Sequence, residues 1–182
     1  RYNTLADSGA GALLGGAGGL WLLGQVRHDD HWSETGFLAG EAALNSLVVV
    51  EGLKYSLGRQ RPIQGNGSGS LFQAGTSFPS EHAAAAWAVA GVLAHEYPGP
   101  LTRILSYGLA SAVSFSRVGG RQHFPSDVFV GGMMGNLIAQ QIYRRHHDPE
   151  LGGAGWRSIG EIVRGDGDAS PSSSGTPYVP LD

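Results

Sequence analysis

The chain contains no cysteine, which removes disulfides and thiolate chemistry and leaves the redox compartment open. Lysine is nearly missing too: among 12 basic residues, Lys54 alone is not arginine. A formal net charge of -3 offers no positive excess of the kind that draws nucleic acid. Strand-like alternation is scarce, which argues against a sheet. Long uninterrupted apolar runs are scarce as well. Ser8 to Val26 is free of formal charge over 19 residues but diluted by glycine, and Val128 to Tyr143 runs for only 16. Other candidates are interrupted by Glu41, Glu51, His95-Glu96 and Arg103. A bilayer core asks for roughly 20 predominantly apolar residues per helix, and the mean hydropathy is -0.09. The expectation is therefore buried core helices of a soluble protein, with membrane association as the exception. A start at Arg1 rather than methionine reads as a processed or trimmed product.

What the chain has in quantity is glycine, 30 of 182 residues, alongside many alanines. Small side chains let helix backbones approach closely, so this composition predicts tightly packed helices. A first helix is expected from Asn3 to Val26. The connection Arg27-His28-Asp29-Asp30-His31 has ligand types that suit a metal, but five successive polar residues also make an ordinary solvated link. A second helix is expected from Ser33 or Thr35, either able to cap it, to Leu57, with Gly58 as its stop. Residues 64–75 are rich in Gly, Ser, Asn and Gln and read as a loop. Ser80 caps a third helix reaching about His95, Pro100 opens a fourth that runs to about Phe115, and Asp127 to Arg145 forms a fifth. The fold class is thus all-α, a bundle of about five long helices. A short sixth helix is expected from Trp156 to Val163. One helical domain covers residues 1–164, and the Gly/Ser/Pro-rich stretch 165–182 is expected to have no regular structure.

Three polar clusters fall at helix ends or connections. Lys54 lies in the last turn of the second helix with Arg59 and Arg61 just beyond it; Ser80, Glu81 and His82 open the third; Ser116-Arg117 through His123 to Asp127 joins the fourth to the fifth. Each has a plain structural account. Basic residues suit a helix C-terminus, a glutamate suits a first turn, and Gly119-Gly120 is a turn signal. Converging on one end of a bundle, the three offer donors for a tetrahedral oxyanion, with a histidine on either side. Asp127 in a first turn can face His123 and fix the proton on one ring nitrogen.

The set Lys54 to Arg61-Pro62, Pro79-Ser80-Glu81-His82, and Ser116-Arg117 with His123 and Asp127 resembles the three-part signature of the type 2 phosphatidic acid phosphatase and vanadium haloperoxidase superfamily. The internal spacings agree: arginine seven after lysine, histidine six after arginine, aspartate four after histidine. The resemblance implies that Lys54, Arg61, Arg117, the Ser80 hydroxyl and the backbone amide of Glu81 hold the phosphate. It implies that His123 attacks phosphorus to form a phosphohistidine, that Asp127 holds the His123 tautomer, and that His82 protonates the leaving group and then activates water. Fixed cations and amides then stabilise the transferring group with no metal and no cofactor. In the haloperoxidase members the same pocket takes vanadate, so a vanadate-dependent haloperoxidase is an alternative, and a noncatalytic phosphate-binding helical domain is another. Glu81 departs from the family pattern, where glycine is usual; the carboxylate must point away or pair with a base such as Arg59, Arg61 or Arg121. The implied partner is a phosphate ester, small or lipid-borne. The implied location is periplasmic or otherwise exported, with membrane contact.

Overall fold

The computed structural model describes residues 2–64 and 67–153; the expected sixth helix and the tail lie outside that range. Five helices follow in order: α1 (Tyr2–Arg27), α2 (Asp30–Leu57), α3 (Glu81–Glu96), α4 (Pro100–Gly119) and α5 (Pro125–His146). This is the all-helical bundle that the periodicity predicts.

The shortest helix is the centre. α3 touches all four others, and its run Ala83-Ala84-Ala85-Ala86 with Ala88, Val89, Ala90, Val92 and Ala94 is buried on every side. Alanine at these positions keeps the core thin. The closest partner is α5, whose Gly131 and Gly135 lie against the α3 backbone at Ser80 and Ala84, with no space for a Cβ at either glycine. The same device joins the first two helices, where Gly36 packs on the α1 backbone at Ala17 and Trp21. The glycine and alanine excess is therefore spent on helix contact, as read from composition.

Two helix limits differ from expectation. α2 begins at Asp30 because Asp29 is its cap, its carboxylate accepting from the Trp32 amide at 3.0 Å. Ser33 and Thr35 turn their hydroxyls back instead, to the carbonyls of Asp29 and His31. The connection before α2 is thus occupied by capping, and His31 reaches Glu96 at 2.9 Å rather than sharing a metal with His28. α4 continues to Gly119, carrying Ser116 and Arg117 inside the helix, since nothing before Gly119-Gly120 breaks it. The left-handed residue of the following turn is Arg121, at φ 54, rather than either glycine. Gly58 does stop α2, at φ 50, and its amide donates to the Lys54 carbonyl.

The expectation of buried core helices holds for α3 and fails for the outer faces of its neighbours. Leu22, Phe37, Leu44, Val48, Leu105, Phe115 and Phe129 are all exposed. Each outer helix has one face on α3, and its opposite face is apolar too. α2 is long and apolar enough to cross a bilayer. An exposed apolar belt on this scale marks an interaction surface.

Candidate active site

Four helix termini meet at one pole: the ends of α2 and α4 and the starts of α3 and α5. Antiparallel neighbours bring two cation-bearing C-termini to two N-termini whose amides face outward. The Ser80 amide donates to the Asp127 carbonyl at 3.0 Å, fastening the start of α3 to the first turn of α5.

His123 lies in the α4–α5 connection and is 1% exposed. Its Nδ1 donates to the Ser77 carbonyl at 2.5 Å, while Nε2 is buried with no hydrogen-bond partner. Burial pushes this imidazole down to about 3, and the nearby charges of Arg117 and Arg61 push the same way, against the Ser77 carbonyl and Glu81. The ring is accordingly neutral near pH 7, with one nitrogen held and the other available as a lone pair.

Asp127 reaches His123 through Ser77 rather than by a direct hydrogen bond. Its Oδ2 stands 3.9 Å from His123 Nδ1, too far for a hydrogen bond. That oxygen instead accepts from the Ser77 hydroxyl at 2.5 Å and the Phe124 amide at 2.9 Å. Oδ1 accepts from Arg59 at 2.5 Å. Asp127 therefore fixes Ser77, and the Ser77 carbonyl fixes the histidine tautomer. Ser77 and Arg59 belong to this framework, and sequence reasoning missed both roles; the available signal was their closeness to Ser80 and Arg61.

The remaining residues gather around this centre. Arg117 is 5% exposed in the last turn of α4, and its carbonyl accepts the Gln122 amide at 3.1 Å. Arg61 is anchored by Nη1 to the Gln122 side chain at 2.5 Å and by Nε to Thr76 at 3.2 Å. Ser80 is fully buried; its oxygen caps α3 through the Ala83 amide, an acceptor role that leaves the hydroxyl proton to donate. Lys54, 4% exposed, pairs with Glu51 at 2.6 Å and with Glu81.

Glu81 thus turns toward Lys54 rather than toward Arg59, Arg61 or Arg121, and its other oxygen lies 3.5 Å from His82 Nδ1. The interaction with His82, helped by Lys54 and Glu51, holds its carboxyl below the usual carboxylate range despite burial. A depressed carboxyl contributes stability above its ordinary range, and that stability is lost as pH falls through its folded value. Two consequences follow for Glu81→Gly. The variant should remain folded, because Lys54 keeps Glu51, and its stability should depend less on pH below about 4. With one negative charge gone from the pole, affinity for vanadate should tighten by about tenfold. Thermal unfolding against pH and a vanadate titration measure both; an unfolded variant would assign Glu81 a structural role instead.

The five helices of the described residues bring arginines, a buried histidine and two helix N-termini to one pole, an arrangement whose chemistry suits an anion. Residues 35–150 match the family model of the PAP2 superfamily, and the chain belongs to that superfamily. It is also similar to the lipid A 1-phosphatase of Porphyromonas gingivalis, with 35% identity over 97 residues, 52% of this chain. The chain spans only 20% of that relative's length. No solved structure gives a significant match.

Proposed function

We propose that this chain is a phosphatase that hydrolyses phosphate monoesters, lipid-borne phosphates or prenyl diphosphates, through a phosphohistidine on His123. The observation that carries the reading is the buried, neutral His123, with Nδ1 held by the Ser77 carbonyl and Nε2 unbonded. A histidine placed only to bind an anion through charge would be protonated. A nucleophile must be neutral with its lone pair available, and this one is.

In the first step Nε2 of His123 attacks phosphorus, the N–P bond forms, and the ester P–O bond breaks in line. Arg61, Arg117, Lys54, Ser80 and the Glu81 amide hold the non-bridging oxygens as charge spreads over them. His82 gives a proton to the departing oxygen. In the second step His82 takes a proton from water, the water oxygen attacks phosphorus, and the N–P bond breaks to release phosphate and restore His123. Lys54 reaches the phosphate by exchanging a carboxylate partner for it. Fixed cations supply the charge stabilisation, so the proposed reaction needs no metal.

An apolar substrate tail is supported by a cavity of about 380 Å³ between α4 and α5, floored by Trp87 and walled by Phe115, Val118, Val128, Phe129 and Met133. Val118 follows Arg117 directly, and Pro125 and Val128 flank Asp127, so the cavity adjoins the polar pole in sequence on both helices. Together with the apolar belt, it favours an exported or membrane-associated enzyme taking its substrate from lipid. Ser111 of α4 also lines this cavity, and Ser111→Trp should fill it and raise KM for phosphatidic acid about tenfold or more while leaving p-nitrophenyl phosphate within about twofold. Equal losses on both substrates would remove the cavity from the reading.

The proposed activity is tested by phosphate release from p-nitrophenyl phosphate, phosphatidic acid and a prenyl diphosphate, with chelator present, with and without vanadate. Vanadate-sensitive release supports it, and the preferred ester identifies the substrate class. Silence on all three esters overturns it.

A further inference from the structure

The opposite pole of the bundle carries a second cluster, unrelated to phosphate. It joins Glu34 on α2, Glu96 at the end of α3, and His147 just beyond α5. The length of α3 separates it from the proposed active site by about 24 Å. Each residue offers one ligand atom, and these atoms all lie within 4.8 Å of one another.

Three features set the cluster apart from a simple ion pair. The Glu96 side chain is fully buried, yet its Oε1 accepts no hydrogen bond, and neither Glu34 Oε2 nor His147 Nδ1 has a hydrogen-bond partner. Glu96 Oε1 and His147 Nδ1 face each other at 3.2 Å without an aligned hydrogen bond, and Glu34 Oε2 has no hydrogen-bond partner; buried polar atoms left in this way are rare. The spacing is that of ligands around a metal. His147 Nδ1 stands 3.2 Å from Glu96 Oε1. The edge of a tetrahedron with metal–ligand bonds of about 2.0–2.1 Å is about 3.3 Å. Finally, the remaining atoms are already held in place. Glu96 Oε2 is bonded to His31 Nε2 at 2.9 Å, Glu34 Oε1 accepts the Asp148 amide at 2.5 Å, and the His147 ring stacks on Tyr143 at 4.3 Å between centroids. Outer partners that orient carboxylates and imidazole are what a metal site requires.

We infer that Glu34, Glu96 and His147 bind a divalent transition cation of the Zn²⁺ type, stapling α2, α3 and the end of α5 at the pole away from the phosphate. Two carboxylate oxygens and one imidazole nitrogen suit Zn²⁺ and leave a fourth position for water. Binding to the folded chain alone raises its stability, because the three ligands come from distant parts of the sequence.

The test uses the full chain, stripped with chelator and then dialysed against Zn²⁺. One equivalent of zinc should remain by elemental analysis, and the unfolding temperature should rise by about 5 °C or more. Glu96→Gln and His147→Ala should each lose the zinc and the shift while keeping their phosphatase turnover, which proceeds at the other pole. If either variant does not fold, Glu34→Gln at the more exposed ligand supplies the same comparison. Absence of retained zinc in the native chain, or equal zinc in the native chain and the folded variants, overturns the assignment.

Discussion

His123→Ala should lower turnover of any accepted phosphate ester by about 10⁴-fold or more, because it removes the attacking atom rather than a supporting one. Vanadate affinity should survive within about tenfold, since the arginines and helix-terminal amides remain. The native profile should show a second sign of the same assignment. With a folded value of about 3, His123 stays neutral through the mildly acidic range, so it sets no loss of kcat/KM near pH 6.5. Its effect on stability has a definite direction. The unfolded imidazole takes its proton near 6.5 and the folded one only near 3, so the fold loses stability as pH falls between those values. His123→Ala should lose that part of the acid sensitivity. Single-turnover assays, vanadate titration and unfolding at several pH values measure the three effects. Normal turnover by the variant would place the nucleophile elsewhere.

The helical fold was legible because its signals are local. Ser80 and Pro100 mark helix starts, Gly58 marks a stop, and the small residues of α3 and α5 announce close packing, whereas Asp29, the cap of α2, reads in the sequence as part of a solvated link. The polar pole was legible from the same punctuation, since its residues sit at helix termini that short connections must bring together. What the sequence hides is which polar atom satisfies which. A spacing of four between His123 and Asp127 suggests a direct bond, yet Ser77, 46 residues before His123, supplies the carbonyl that holds the ring. Glu81 has several arginines near it in the sequence pattern and pairs with Lys54, 27 residues away. Exposure was the other hidden quantity. Apolar residues such as Phe37, Leu44 and Val48 on α2 carry no label saying which face meets the core, and α3 is too slender to cover them all.

Arg59→Ala should destabilise the protein by about 3 kcal/mol or more, the largest effect expected of a change at a partly exposed residue of this pole. Arg59 ties the pole together in four directions. Nη1 bonds Asp127 at 2.5 Å and Ser126 at 2.9 Å, Nε bonds the Gly69 carbonyl at 3.0 Å, and the guanidinium lies 4.3 Å from the Phe124 ring centroid. Asp127 is fully buried, so truncating the arginine leaves a carboxylate without its cation in a site water does not reach. Turnover should fall as well. Asp127 holds Ser77 and the Ser77 carbonyl orients His123, so a loosened carboxylate misplaces the nucleophile. Arg59→Lys keeps the charge but loses the planar fork, and should recover part of the stability and less of the rate. The decisive comparison is a double-mutant cycle with Asp127→Asn by urea unfolding. Once Asp127 carries no charge, removal of Arg59 should cost far less than it does in the native chain. Equal costs in both backgrounds would show that Arg59 acts through Phe124 and Gly69 alone, and the path from Arg59 through Asp127 and Ser77 to His123 would be broken.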